Sequence, residues 1–489
     1  MLDKHFIDAH SLLGANSSYE LPTTAMVADD AIKMLDAEML ADPSKTYLCL
    51  ASKTGMIAKR LAYALNDALK DAISDPAERL RHIYHRQIYV WATSEAAAWT
   101  TARTLYEIGS LTSESCPYRF ANPLGNVRWH SKSSDPSEQV FSFLDDSCDL
   151  VKEFGVRFSA VLSNPPYHVN TEAVARNGGR NKRGLKAIYP DFFTKAKRLN
   201  ADVMIFILPD RFFSSDVKNL QRFCYELCAG DHVEKVVDYI EATAVFPKSN
   251  IKGGICCIKW NRRHSGGCPF ISRSRFDNFA DHEMYREKLY DSEIGAVIRW
   301  NGSLGIIEKV KAKADLGFMS DLVSKANPYG LNTNVKEKHP ELACAEGDVE
   351  VYAHNGVVFK MQSKHLPKKP PMLGETKIFV PAAYVTYNFP PRILGTPVVV
   401  GPGCACTQTF LQIGPFTPVE AENAAVYLKT KFAAFMAMLL KPTQHTTWRT
   451  YRLMPAVDFS IRWTDEMLYR HFGLSEEEIQ FVESMVRGV

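Results

Sequence analysis

The sequence predicts an α/β fold, a mostly parallel sheet wound with helices on both faces, followed by a second domain of mixed α+β character. Three observations carry this expectation. Short apolar runs alternate with longer helical patterns over about the first 260 residues, as a parallel sheet covered by helices requires. Beyond about residue 265 the texture shifts to more Pro and Gly and to short strand-and-turn segments such as 366–403. The C-terminal part regains helical periodicity.

The elements follow in chain order. Strands are expected at Tyr47–Ala51, Ile88–Ala92, Ser159–Ser163, Val203–Leu208, His232–Val237 and Gly254–Trp260, each a short, nearly continuous apolar run. Between the first two, Thr54–Asp71 places Met56, Ile57, Leu61, Ala64, Leu65, Ala68 and Leu69 on one helical stripe, which makes a βαβ unit. Near the end, Pro418–Leu440 reads as one strongly periodic helix. Leu474–Val486 reads as another, opening on a Ser475 cap and three glutamates.

Composition narrows the classes. A length of 489 residues suggests two to four domains at roughly 100–200 residues each. With 46% hydrophobic and 23% charged residues, neither a disordered nor a fibrous chain is compatible. The 58 Lys+Arg against 55 Asp+Glu give a formal charge of +3, so any polyanion partner must be met by locally concentrated charge. No apolar stretch approaches the roughly 18 residues that span a bilayer, and a cytosolic protein is expected. Eleven cysteines lie scattered without C-x-x-C or zinc spacing, so they are read as reduced packing residues and no metal is assigned.

The most informative residues are Asn164, Pro165, Pro166 and Tyr167, directly after an apolar strand. In an open α/β sheet, ligands bind outside the carboxyl ends of the strands, so a rigid polar turn at that point faces a crevice. Two successive prolines lack N–H groups and leave their carbonyls free to accept. The Asn164 amide oxygen and a proline carbonyl can together take both hydrogens of an exocyclic amine, while Tyr167 can stack on the ring that bears it. Such a corner suits the amino group of a base turned out of a duplex. An ordinary strand-terminating turn is the alternative.

On these four residues the chain resembles the amino-group DNA methyltransferases that use S-adenosylmethionine, in particular the adenine-specific methylases of type II restriction-modification systems. The resemblance extends to 51–65, to 88–106, to 187–199 with 204–215, to the late strands at 232–260, and to the C-terminal 427–485. It implies a Rossmann-like methyltransferase domain over 1–265 and a DNA target-recognition domain with a helical C-terminal part over 266–489. It also implies methyl transfer to N6 of adenine, with cytosine N4 as the near alternative, by positioning of the amine and without a general base of shifted pKa.

The resemblance assigns the cofactor loop to Cys49–Gly55, with Ala51, Lys53 and Gly55 as binding positions beside Asn164. The acidic residue usual at the end of the first strand is replaced by Cys49, and Gly55 is what remains of the usual glycines. Glu95, after the second strand, stands where a carboxylate would meet the cofactor ribose, or is a solvated helix-start residue. Thr23 belongs to a segment similar to the family's N-terminal cofactor segment; a helix N-terminus capped by Thr23 or Thr24 is the other reading and is compatible with that role.

Arg176, Arg180, Lys182, Arg183 and Lys186 lie among glycines just after the Asn-Pro-Pro-Tyr turn and are expected to hold DNA phosphates, as is Arg392 in the second domain. The same domain interleaves Lys364, Lys368, Lys369, Lys429, Lys431, Arg449 and Arg452 with aromatic residues. Tyr189 and Phe192 wall a base pocket or simply pack a helix. The expected partners are double-stranded DNA and a separate nuclease or other defence subunit, since the methylase pattern starts near residue 20. A different class remains open, a catalytically weak DNA-binding or specificity subunit whose cofactor pocket has eroded at Cys49 and Lys53.

Overall fold

The apolar runs become strands because both of their faces are covered. In the computed structural model, β1 (Tyr47–Ser52) and β2 (Ile88–Ala92) are buried almost throughout, as are β4 (Ala160–Ser163), β7 (Val203–Pro209) and β9 (Ile255–Asn261). The structure describes all residues except 1–21, 108–109, 131–141, 171–184, 215–217, 247–250, 252, 275–279, 369–370, 387–388, 442 and 489.

The described chain forms two compact units, Met1–Asp210 with Tyr225–Leu289, and Arg211–Cys224 with Tyr290–Val489. The first contains a nine-stranded sheet of order β11-β10-β8-β9-β7-β4-β1-β2-β3, completed by β3 (Val127–Arg128), β8 (Val233–Tyr239), β10 (Cys268–Arg273) and β11 (His282–Arg286). From β3 to β7 all neighbours are parallel; β9 runs antiparallel between β7 and β8. This unit continues past the texture change near residue 265 because β10 pairs in parallel with β8 and β11 closes the edge. β5 (His168–Asn170) and β6 (Leu185–Ala187) form a separate antiparallel ribbon.

The strand order positions the site. From β1 the chain winds outward through β2 and β3, then returns to add β4 on the other side of β1. Adjacent loops therefore part in opposite directions at the carboxyl ends of β1 and β4, which opens a crevice there. Three helices of this unit bear on the site: α1 (Ala25–Ile32) follows the cleft residue Thr23, α2 (Met56–Ala68) puts Met56 and Ile57 on the cleft, and α3 (Glu95–Tyr106) follows β2. α2 carries the predicted stripe, with Met56, Ile57, Leu61 and Leu65 buried. After the ribbon, α4 (Tyr189–Lys197) lays Phe193 edge-on against Phe206 of β7, 5.1 Å between ring centres.

The second unit contains two three-stranded sheets. β12 (Val349–Tyr352) lies between β13 (Val358–Met361) and β16 (Cys404–Cys406), and β14 (Thr376–Pro381) lies between β15 (Val398–Val400) and β17 (Phe410–Phe416). Its larger core gathers Ile378, Ile413, Phe432, Phe435 and Met454. The single helix expected over Pro418–Leu440 is two, α5 (Pro418–Tyr427) and α6 (Lys431–Met438). Thr430 makes the break, because its extended backbone and its hydroxyl, accepting from Ala433 N, start a new helix. The Asp465 carboxylate accepts from the next two amides, Lys431 N and Phe432 N, at 3.1 and 2.8 Å. The terminal helix α7 (Glu476–Met485) opens on the expected Ser475 cap, with Glu478 completing a capping box.

Candidate functional site

Register brings the two candidate loops side by side. Leu50 of β1 pairs with Ser163 of β4, and the Ser163 hydroxyl donates to the Leu50 carbonyl at 3.0 Å. The next residues, Ala51 and Asn164, leave the sheet together. They line one cleft, open to solvent and of about 300 Å³ with that open space included, with Thr23, Cys49, Ser52, Lys53, Thr54, Gly55, Met56 and Leu162 among its other walls.

The β1 loop is shaped by two left-handed residues. Ala51 has φ +60°, and the pairing with β2 shifts register between Leu50 and Ser52, a bulge that turns the loop away from the sheet. Gly55 has φ +79° and precedes α2, whose N-terminus has no side-chain cap. A Cβ at Gly55 would lie 3.0 Å from the Thr101 carbonyl oxygen and 3.1 Å from its Cα, so glycine permits the close seating of this loop on α3. Ser52 Oγ and Thr101 Oγ1, 2.9 Å apart, secure the same contact.

Opposite changes are therefore expected at these two positions. Gly55→Ala should cost about 2 kcal/mol or more, from left-handed strain plus the backbone clash. Ala51→Gly should raise stability by about 0.5–1 kcal/mol by relieving strain. Chemical denaturation of the two variants checks both signs.

Thr23 reaches the cleft because α1 is held on several sides. The helix packs on α2, β7 and β9, Asp29 pairs with Arg60 at 3.3 Å, and Asp30 pairs with Arg273 at 2.6 Å and accepts from the Tyr239 hydroxyl. Asn164, 3% exposed, donates from Nδ2 to Thr23 Oγ1 at 3.0 Å, a contact spanning 141 positions. With the amide nitrogen turned to Thr23, the opposite end of the Asn164 amide is its acceptor oxygen. Thr24 occupies the N-cap position of α1, yet its hydroxyl caps nothing and is buried without a partner among the described residues.

Of the Asn164–Tyr167 turn, Asn164 alone lines the cleft. Tyr167 is 3% exposed, meets Tyr189 edge-on at 6.3 Å, and its hydroxyl is buried without a partner among the described residues. Burial raises that phenol well above its ordinary pKa. Tyr189 and Phe192 are buried as well, Phe192 against Phe143 at 5.4 Å, so both pack α4 onto the core.

Lys53 lines the cleft and is 8% exposed. Cys49, buried at the base of the loop, has its thiol pushed up to about 12 by desolvation and is neutral at physiological pH. Glu95 is exposed as the first residue of α3 and does not line the cleft; Ser94 caps that helix instead.

The basic segment is anchored at both ends. β5 pairs with β6, and Ile188 N donates to the Tyr167 carbonyl at 3.1 Å, so the chain leaves and re-enters beside the turn. Arg176, Arg180, Lys182 and Arg183 lie outside the described residues. Lys186 is exposed and 3.7 Å from Asp191. In the second unit Arg392, Lys364, Lys368 and Lys429 are exposed, while Lys369 lies outside the described residues. Lys431 pairs with Glu483 and Arg452 donates to the Glu293 and Ile294 carbonyls. Arg449 lies over the Trp448 ring. Those three have structural work of their own.

Sequence reasoning missed the Thr23–Asn164 contact and the Thr24 hydroxyl, which no local pattern announces. Leu162 was accessible, since it precedes Asn164 by two on an extended stretch and so shares its face. Among the described residues, no group of three or more His, Cys, Asp or Glu could hold a metal, and no helix is long and apolar enough to cross a membrane. All eleven cysteines are free thiols.

Residues 86–246 match the Eco57I restriction-modification methylase family. An "uncharacterized adenine-specific methylase" of Mycoplasma pneumoniae is 24% identical, in a match covering 47% of this chain and 64% of that protein. The chain thus covers somewhat under two thirds of that relative. Similar solved structures include the type IIG restriction endonuclease BpuSI, 10% identical with a TM-score of 0.42 over 95% of this chain and 61% of that one. DrdV in complex with DNA is 12% identical with a TM-score of 0.48, covering 90% and 56%. The type IIL restriction-modification enzyme MmeI, also with DNA, is 11% identical with a TM-score of 0.46, covering 88% and 64%. Over the segment that carries β2, β4, the Asn164–Tyr167 turn, β7 and β8, this chain is similar to the Eco57I restriction-modification methylases.

Proposed function

We propose that this protein transfers a methyl group from S-adenosylmethionine to the exocyclic N6 of adenine in double-stranded DNA, as the modification activity of a restriction-modification system. The observation that carries the reading is the cleft at the β1–β4 reversal, walled on one side by Ala51–Gly55 and on the other by Asn164. The residues suit the cofactor: Ala51, Ser52 and Gly55 are small enough for close approach, and the uncapped start of α2 offers backbone N–H groups. S-adenosylmethionine, when bound, supplies an electrophilic methyl group.

The chain's own contribution is positioning. Asn164 and the Pro165 carbonyl accept the two amine hydrogens, Pro166 stiffens the turn, and Thr23 fixes the Asn164 amide. Thr23, Ala51, Lys53 and Gly55 hold the cofactor in the cleft, and the exposed Glu95 meets its ribose. The target base must leave the duplex to reach this corner. The first unit serves transfer and the second serves recognition of the DNA site. Arg176, Arg180, Lys182, Arg183, Lys186 and Arg392 contact phosphates, a separate nuclease or defence subunit acts alongside, and the setting is the cytoplasm of a prokaryotic cell.

One observation favours a second reading, a DNA-binding subunit with little cofactor affinity: the neutral Cys49 and the buried Lys53 stand in the cofactor loop. Titration calorimetry with S-adenosylmethionine separates the two, because the second predicts no heat of binding. Methylation-sensitive long-read sequencing of DNA from cells expressing the protein tests the first, which predicts N6-methyladenine at one recurrent sequence. Duplex binding is also expected to weaken by about 100-fold or more between roughly 50 and 200 mM salt, measured by fluorescence anisotropy.

A further inference from the structure

Two segments of the second unit that lie far apart in sequence are laced together along one edge. Tyr384 N donates to the Gln444 carbonyl and Thr446 N to the Ala382 carbonyl, both at 2.8 Å, and Ala383 and His445 form an antiparallel bridge between them. The Lys441 ammonium donates to the carbonyls of Tyr384 and Ile393, which draws the two ends of that stretch together. Within it the Arg392 backbone is fixed twice, by donation from its N–H to the Thr386 hydroxyl at 2.8 Å and by a parallel bridge to Arg487.

The backbones are fixed, whereas side chains along this edge are uncommitted. Arg392 and His445 are exposed and Gln444 is partly so. Among the described residues, the Arg392 guanidinium has no carboxylate partner, and neither the Gln444 carboxamide nor the His445 ring makes a hydrogen bond. Neither 382–394 nor 443–453 contains an Asp or Glu, although the whole chain carries 55 of them against 58 Lys+Arg. A rigid edge of cationic and amide groups without a carboxylate of its own suits the rim of a DNA duplex.

The groups at this edge divide by chemistry. A guanidinium meets a phosphate whatever the base beside it, so it positions the chain without reading sequence. A carboxamide sets a donor and an acceptor side by side, the complement of N7 and the N6 amine that adenine shows in the major groove. We infer that Gln444 is a specificity-determining residue that reads one adenine of the target sequence, with Arg392 anchored on a neighbouring phosphate. That adenine stays stacked in the duplex and is not the base that receives the methyl group. The inference rests on the DNA-modification reading and deepens it by naming the residue that selects the site.

The test maps N6-methyladenine in a pool of randomised duplexes treated with S-adenosylmethionine and the full chain, as wild type, Gln444→Ala, Gln444→Arg and Arg392→Gln. The wild type should mark one recurrent sequence that holds an invariant adenine besides the methylated one. Gln444→Ala should lower the preference for that adenine by about 10-fold or more, with the other positions and the melting temperature unchanged, and Gln444→Arg should turn the same position toward guanine. Arg392→Gln should weaken duplex binding alike for all sequences and lower its salt slope by about one. An unaltered recognition sequence in both Gln444 variants overturns the role of Gln444, as does a melting temperature several degrees lower in Gln444→Ala, which would give the carboxamide a structural task. Absence of any recurrent methylated sequence with the wild type instead overturns the DNA-modification reading itself.

Discussion

Asn164→Ala is expected to abolish methyl transfer while duplex binding stays within a few-fold of the wild type. In the proposed function the amide oxygen is one of two acceptors for the amine, and removal of one preorganised hydrogen-bonding group from such a site costs about 100- to 1000-fold in turnover. The loss should be larger here, because the substitution also removes the Nδ2 donor that ties Thr23 into the cleft at 3.0 Å. Asn164→Asp separates the two effects: it keeps acceptor oxygens but cannot donate to Thr23. Incorporation of labelled methyl and anisotropy of a labelled duplex read both quantities. Transfer at the wild-type rate by the alanine variant would remove Asn164 from the site.

Tyr167→Ala is expected to act through the fold as well as through turnover. From sequence alone the ring is available to stack on the base; in the structure it is 3% exposed and packs edge-on against Tyr189. Truncation of a buried aromatic side chain leaves a cavity and costs about 3–5 kcal/mol. Tyr167→Phe should behave oppositely. Its hydroxyl is buried without a partner among the described residues, so the ring alone should be as stable as the wild type or more stable by about 1 kcal/mol. Retained turnover in Tyr167→Phe together with a large drop in melting temperature in Tyr167→Ala is the expected pair. A Tyr167→Phe variant that unfolds as readily as Tyr167→Ala would show that the hydroxyl has a partner essential to the core.

Much of the first unit was legible because its signals are local. The run Ile88–Ala92 is bounded as expected, and β1, β4, β7, β8 and β9 differ from their predicted ends by one or two residues. A strand buried on both faces declares itself by an unbroken apolar run. The Pro418–Leu440 stripe was misleading, because apolar periodicity persists across Thr430 while its capping hydroxyl and the distant Asp465 carboxylate end one helix and begin the next.

At the site, Asn164, Ala51, Lys53, Gly55 and Thr23 share one cleft. Three of them come from a single loop, whose strand-to-helix pattern sequence reveals. The meeting of Thr23 with Asn164 depends on ion pairs of Asp29 and Asp30 with Arg60 and Arg273, partners far away in sequence that no spacing rule connects. The exposure of Glu95 and the burial of Tyr167 likewise follow from tertiary packing and not from their neighbours in the chain.

The most direct measurement is nucleoside analysis by mass spectrometry of duplex DNA incubated with the protein and methyl-labelled S-adenosylmethionine. An acceptor corner beside a methyl donor predicts label in N6-methyl-2′-deoxyadenosine. Label at cytosine C5, or no labelled nucleoside from protein that binds both cofactor and duplex, would contradict it.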